Sequence, residues 1–158
     1  MITLALDQST TCTGYSVFYK KELIEHGKVK LDGEFFERVE RVKQFMLDKI
    51  KELSETDNVF VCLEDIQYQP GFGVDTFEKL AKLLGCLELT LVEQDIPYTI
   101  IPSVTWKSYS GIKGKARAEQ KKACQEKVLE LYNLKVCQDE ADAIMIGKYG
   151  NEKRANPW

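Results

Sequence analysis

A continuous apolar run near the middle of the chain sets the strongest constraint on its fold. Val59-Phe-Val-Cys-Leu-Glu64 has no polar residue before its last position. A strand with one solvated face alternates polar and apolar residues, whereas a strand buried on both faces of a parallel sheet reads as a continuous apolar run. We therefore expect a buried strand in a sheet that helices cover.

The segments on either side of this run complete a layered α/β pattern. Ile2–Asp7 alternates as a strand does, and two further extended segments, 14–19 and 22–30, would form an antiparallel meander with it. Apolar residues recur at three- and four-residue steps over 34–54, which predicts an amphipathic helix. A strand at 97–101 and further helices are expected at 75–93, 103–109, 117–132 and 138–149, with Asp75 and Glu78 forming a capping box and Ser103 an N-cap. This order predicts an α/β fold with a mixed central sheet flanked by helices, and residues 1–158 as a single domain.

Size and cysteine content exclude several classes of protein. A chain of 158 residues with 44% apolar content can bury the core of one compact domain and is not a disordered chain. The five cysteines are odd in number and form no CxxC pair, which indicates reduced thiols in a cytoplasmic protein. No apolar run approaches the roughly 18 residues of a membrane span, so we expect no membrane partner.

Two acidic residues end the two most strand-like segments. Asp7 ends the first strand and Glu64 ends the continuous apolar run. Functional sites of open α/β sheets lie beyond the carboxyl ends of the strands, so the two carboxylates are expected to converge if the strands are neighbours. A strand-terminal Asp can instead cap a turn, and for any one acid this structural interpretation remains open.

A second pair of acids borders an apolar helix face. Asp139 and Asp142 are three residues apart, on one side of the last predicted helix. Asp139 alone could simply favour the positive end of that helix. Four carboxylates brought together repel one another, and hard cations such as Mg²⁺ or Mn²⁺ neutralise them best. Asp65 and Glu140 point elsewhere by period and are predicted to be surface charges, and His26 is expected to lie far from the acids.

One segment is basic in a chain whose net charge is −3. We call it the basic strip, and Glu119 is its only acid; its cations are Lys107, Lys113, Lys115, Arg117, Lys121 and Lys122. Its middle contains Gly111 and Gly114, which suits a loop that follows a phosphate backbone. A solvated helix face explains Lys121 and Lys122 equally well, but it explains the clustered loop less well.

The helix predicted from Asp75 is apolar on more than one side. One stripe comprises Phe77, Leu80, Leu84, Leu87 and Leu91. Outside this stripe fall Ala81, Leu83, Cys86 and Leu89. One face would pack on the core and the other on a second copy of the chain, which predicts a homodimer.

Several of these segments resemble the motifs of the RuvC family of Holliday-junction resolvases. Leu4-Ala-Leu-Asp7-Gln-Ser-Thr-Thr-Cys-Thr-Gly14 resembles its first acidic motif and Leu63-Glu64 its second. Asp139-Glu-Ala-Asp142-Ala resembles the segment that carries the third and fourth acids. The resemblance extends over nearly the whole chain, and it looks closest to the short phage-encoded members. Where the bacterial proteins carry an aromatic residue that probes the junction centre, this chain has Gln67, with Tyr68 beside it.

The resemblance implies an RNase H-like fold, a homodimer and paired nicking of four-way DNA junctions, with other branched DNA as further substrates. It implies that Asp7, Glu64, Asp139 and Asp142 bind two Mg²⁺ ions per active site, with Mn²⁺ as a substitute. It also implies that Lys107 and Lys121 lie near the scissile phosphate and that Tyr68 contacts DNA. A phage-encoded member would act in the host cytoplasm.

Three other functions remain as alternatives. An RNase H-like ribonuclease acting on RNA would use the same acids, and a non-catalytic module could bind branched DNA without cutting it. An actin-like or sugar-kinase-like nucleotide binder is suggested by Asp7-Gln-Ser-Thr-Thr, but the chain has no room for two lobes. The glycines form no GxGxxG or Walker motif, and no cysteine and histidine cluster has zinc spacing.

Overall fold

Five strands form one mixed sheet in the order β3-β2-β1-β4-β5 in a computed structural model, which describes residues 1–68, 71, 73–112 and 116–154. The strands are β1 (Ile2–Asp7), β2 (Cys12–Tyr19), β3 (Glu22–Lys30), β4 (Val59–Glu64) and β5 (Tyr98–Ile101). The helices are α1 (Phe35–Ser54), α2 (Val74–Glu93), α3 (Ser103–Tyr109), α4 (Arg117–Tyr132) and α5 (Gln138–Arg154). β1, β2 and β3 pair antiparallel, whereas β4 and β5 run parallel to β1. The mixed sheet and the meander predicted from the sequence are confirmed.

Each face of the sheet has its own apolar core. Leu4 and Leu6 of β1 pack with α1 and α2 on one face, and Ala5 packs with α3, α4 and α5 on the other. Because β1 and β4 lie at the centre of the sheet, their side chains are buried on both faces. The continuous apolar composition of β4 follows from this position.

The last helix is longer than the sequence pattern indicates. α5 was expected to end near residue 149, but it continues to Arg154. Gly150 lets it lie directly on the sheet, since a Cβ there would be 2.3 Å from Cys62 Sγ. The next residue, Asn151, is buried and accepts a hydrogen bond from Thr3 Oγ1 at 3.1 Å. Asn151 thus belongs to the core although it is polar, and for that reason the apolar pattern of the sequence did not indicate this part of the helix.

Two predicted helix caps are wrong. α2 begins at Val74 with Gly73 as its N-cap, so Asp75 lies inside the first turn and pairs with Lys79 at 2.7 Å. In α3, Pro102 occupies the N-cap position that was expected for Ser103. Each helix begins earlier than its polar residue suggested.

The two sides of α2 also divide differently from the prediction. Leu83, expected on the outer side, is buried with Leu84, Leu87 and Leu91. The outer face, as we use the term below, comprises Ala81, Gly85, Leu89 and Val92, all of them exposed.

Among the described residues, no helix has the length and apolar character required to cross a membrane.

Candidate active site

Asp7 and Glu64 lie side by side at the carboxyl ends of two neighbouring parallel strands. The preceding residues, Leu6 and Leu63, are partners in the pairing of β1 with β4, so the two acids occupy the next position of the same register. Their carboxyl groups are close enough to share a hydrogen bond. The convergence expected from the strand pattern is therefore present.

The first turns of α5 bring the other two acids to the same edge. Gly14 of β2 allows this approach, because a Cβ on it would lie 1.9 Å from the backbone oxygen of Asp139. Asp142 Oδ2 accepts a hydrogen bond from Gln138 Nε2 at 2.7 Å, and the Cys124 thiol contacts the same carboxyl group. Asp139 contacts the Cys12 thiol. All four acids are half-buried, so solvent reaches them although protein surrounds them.

Burial and mutual repulsion make these carboxylates weaker acids than usual. Desolvation raises the pKa of Asp7 well above its ordinary value, and the charges of Glu64, Asp142 and Asp139 raise it further. Desolvation also raises the pKa values of Glu64 and Asp142. Lys107 opposes the shift at all three. The electrostatic environment therefore favours a bound cation or a proton at this edge.

Glu64 is held by two residues that the sequence interpretation did not identify. Trp106, which is fully buried, donates a hydrogen bond from Nε1 to Glu64 Oε1 at 2.8 Å. The Gln8 amide binds the backbone of Glu64 twice, through Nε2 to its carbonyl oxygen at 2.5 Å and through Oε1 from its N–H at 3.2 Å. The position of Gln8 directly after Asp7 was the one signal in the sequence that could have revealed this contact.

The donor atoms suit a hard divalent cation, although they are not yet gathered into a ligand set. Within the described segments, no three His, Cys, Asp or Glu side chains converge as metal ligands. Of the lysine ion pairs in the same segments, none involves one of the four acids. Beside Asp142, Gln138 Oε1 is buried without a hydrogen-bond partner. Half-buried carboxylate oxygens and an orphaned amide oxygen match the oxygen ligands of Mg²⁺ or Mn²⁺.

The basic strip lies only partly within the described residues. Lys107 on α3 is close enough to the acids to lower their pKa values, and its Nζ lies 5.2 Å from the centre of the Trp106 ring. On α4, Lys121 is exposed, whereas Lys122 pairs with Glu126 at 3.8 Å. The remaining residue of the basic strip on that helix is Arg117, also exposed. Lys113 and Lys115 lie outside the described residues.

Tyr68 follows Glu64 closely and is 57% exposed. Its ring packs edge-on against Phe77 of α2, with 5.6 Å between the ring centres. This contact leaves most of the tyrosine side chain accessible to solvent.

The predictions for His26 and Glu140 are wrong. His26 Nδ1 lies 3.0 Å from Glu140 Oε1, and the Cys137 thiol donates to Glu140 Oε2 at 3.1 Å. Burial raises the pKa of Glu140, but these hydrogen bonds outweigh it and the net shift is downward. β3 is therefore joined to the first turn of α5 directly beside Asp139.

The acids are half-buried at the ends of the strands, away from two hollows on the described surface. One hollow, of about 510 Å³, is lined by residues of β3 and α1, and another is at the opposite end of the sheet near Met1 and Pro97. Neither contains one of the acids. An open edge can accommodate a polymer, whereas small-molecule sites are usually enclosed.

Comparison with known proteins identifies the fold. No family model and no curated protein matches the sequence. Thermus thermophilus RuvC in complex with a Holliday junction substrate superposes with a TM-score of 0.73 at 18% identity, covering 99% of this chain and 96% of that one. A second Thermus thermophilus RuvC structure gives 0.70 at 18% identity, with 98% and 96% covered. The yeast mitochondrial Holliday junction resolvase Ydc2 gives 0.56 at 14% identity, with 92% and 75% covered. The chain has an RNase H-like fold similar to that of these resolvases.

Proposed function

We propose that this protein is a metal-dependent endonuclease that resolves four-way DNA junctions, and other branched DNA, by paired nicks. The observation that carries the proposal is the contact of Asp7 with Glu64 at the open edge of the sheet, with Asp139 and Asp142 near enough to raise the pKa of Asp7. In support, the structures of Thermus thermophilus RuvC and yeast Ydc2, two Holliday-junction resolvases, have a similar fold. Structure-selective cleavage of DNA is the activity that accounts for both the cluster of acids and the similarity in fold.

Asp7, Glu64, Asp139 and Asp142 would hold two Mg²⁺ ions, or Mn²⁺ in their place. Such ions would supply the activation of water and the stabilisation of the leaving oxygen that phosphodiester hydrolysis needs. Asp7 would contribute to both ion sites, Glu64 to one, and the two acids of α5 to the other. The products would carry 5′-phosphate and 3′-hydroxyl ends.

The neighbouring residues keep these ligands in place. Trp106 and Gln8 fix the side chain and the backbone of Glu64, so its carboxylate needs little reorganisation when it binds an ion. Gln138 orients Asp142 through a hydrogen bond of 2.7 Å. Lys107 would contact the phosphate that is cut, since its charge already acts on three of the acids.

DNA would approach the acids along the basic strip. Lys107 and Lys121 would contact phosphates beside the cleavage site, and Lys113, Lys115 and Arg117 would follow the backbone away from it. Tyr68 would contact bases or sugars at the branch. Phosphate contacts position DNA without reading its sequence, so this surface suits recognition of shape.

Paired nicks require two active sites, and the outer face of α2 supplies a surface for a homodimer. Leu89 and Val92 are 59% and 56% exposed. Gly85 leaves open space above the helix, because nothing lies within 4 Å of a Cβ built on it. An apolar face with a small residue at its centre allows a second helix to approach closely.

Cleavage assays with defined nucleic acids test the proposal directly. Labelled four-way, forked and linear DNA and a matched RNA would each be incubated with the protein, with Mg²⁺ or with EDTA. We expect symmetric nicks in the four-way junction that require Mg²⁺, slower cutting of forks and no cutting of linear duplex. Cleavage of RNA alone would indicate the ribonuclease alternative, and junction binding without any cleavage would indicate a non-catalytic module.

A further inference from the structure

Lys28 lies in the same row of the sheet as the acids, at the opposite end of that row from Lys107 of α3, which follows β5. Asp7 pairs with Gly14, and Gly14 pairs with Lys28. Residues paired directly across strands project from the same face, so Lys28 and Asp7 share a face. Two strand spacings of about 4.8 Å separate their backbones by roughly 10 Å.

Lys30 extends this cationic position along the edge strand. It is two residues beyond Lys28 and projects from the same face. Both lysines are exposed, and Lys30 pairs with Cys12, whose thiol contacts Asp139. Lys28 contacts Cys137, two residues before the same acid and just before α5.

Among the described residues neither lysine forms an ion pair. Glu140, whose charge acts on Lys28, and Asp32 each have other partners. Glu140 is bonded to His26 and Cys137, and Asp32 pairs with Arg41 at 2.6 Å. The contact with Cys137 raises the pKa of Lys28, which keeps its amine protonated.

Charge is segregated along β3. Glu22 and Glu25 occupy the half of the strand far from the acids, and Lys28 and Lys30 occupy the half beside them. Lysines on an edge strand also prevent edge-to-edge aggregation, but that role would not require the two signs to separate. Lys107 lies on α3, which follows β5, and its charge also acts on Asp7. Cations therefore lie on both sides of the acids.

We propose that Lys28 and Lys30 form a second phosphate-contact surface, which binds the backbone of a DNA arm leaving the acids on the β3 side. The inference rests on the proposed function and adds a partner surface to it. DNA would then cross the site from β3 to α3, with the cut bond between two sets of cations. The contacts are to phosphates, so the surface would bind any sequence.

A salt series on four-way junction affinity tests this surface. In Lys28→Gln/Lys30→Gln, the loss of two phosphate contacts should make the log–log salt slope shallower by about 1.8. If the variant and the wild type bind the junction equally at 1 M salt, the variant should therefore bind roughly 60-fold more weakly at 0.1 M salt. The matched control Lys20→Gln/Lys51→Gln removes the same charge from two exposed positions at the opposite end of the sheet, and its slope should equal that of the wild type.

The outcomes separate this inference from the proposed function. A wild-type slope in the Lys28→Gln/Lys30→Gln variant, with normal junction cleavage by the wild-type protein, would overturn the second surface and leave the nuclease intact. A wild-type protein that neither binds nor cuts junctions would overturn both. If the double variant does not fold, as judged by circular dichroism, Lys30→Gln alone should reduce the slope by about 0.9, and an unchanged slope there would equally overturn the surface.

Discussion

Asp7→Asn tests the electrostatic basis of the site as well as its chemistry. Asparagine keeps the shape of the side chain and removes the charge that Glu64, Asp139 and Asp142 repel. We expect cleavage to be abolished and junction binding to be unchanged or tighter, because a charge that opposes phosphate is lost. Turnover comparable to the wild type would refute the assignment of Asp7.

The same variant should be more stable than the wild type when no metal is present. The pKa of Asp7 is raised in the folded state, so above its ordinary value of 3.8 the folded protein binds more protons than the unfolded chain. The wild type therefore loses stability as pH rises from 3.8 through the raised pKa. An unpaired desolvated group costs about 1–3 kcal/mol, or more when charged. At pH 8 in EDTA we expect Asp7→Asn to gain about that much free energy of unfolding, and no gain below pH 3.8.

Magnesium should reverse this difference. A ligand at 100 times its dissociation constant stabilises the folded state by about 2.7 kcal/mol. For a chain of this size, each kcal/mol shifts Tm by about 2–4 °C, so the wild type should gain roughly 5–11 °C. Asp7→Asn should gain much less, because it lacks the carboxylate that contributes to both ion sites.

Urea and thermal unfolding across pH, each with EDTA and with Mg²⁺, measure both effects. The control is Asp95→Asn, an exposed turn residue with φ 51°, a left-handed conformation that asparagine adopts readily. It should match the wild type throughout. If Asp7→Asn also matched the wild type in EDTA at pH 8, repulsion at the site would not be significant and the reasoning would fail.

Three further predictions concern the surroundings of the acids. Trp106→Phe removes the hydrogen bond that lowers the pKa of Glu64, so calorimetry should show weaker Mg²⁺ binding that recovers at higher pH. Its free energy of unfolding should fall by at least about 1.5–3 kcal/mol. Alanine at Lys113, Lys115 and Arg117 should reduce the salt slope of junction binding by up to nearly three units, equally for different sequences; an unchanged slope would mean that DNA is held elsewhere. Leu89→Asp places a charge on the outer face of α2, so light scattering at micromolar concentration should find a dimer for the wild type and a monomer for the variant; a monomeric wild type would contradict the dimer.

The sequence by itself determined the elements and the positions of the acids within them. The apolar period of α1, the alternation of β1 and the continuous apolar run of β4 are local signals, because burial on one face, on alternate residues or on both faces dictates each pattern. Asp7 and Glu64 were recognisable because each interrupts such a pattern at the end of a strand. Whether those two strands are neighbours stayed open in the sequence, and the pairing of β1 with β4 in the sheet decided it.

Only the tertiary structure decided what surrounds the acids. Gln8 and Glu64 are 56 positions apart, and His26 and Glu140 are 114 positions apart. No periodicity spans such separations, since each contact depends on how whole helices lie on the sheet. For the same reason the last turn of α5 and the row that joins Lys28 to Asp7 were not predicted, because their polar residues acquire a role only from the strand or helix that packs beside them. The outer face of α2 was predicted only in part, since the packing of the helix on the sheet decided that Leu83 is buried.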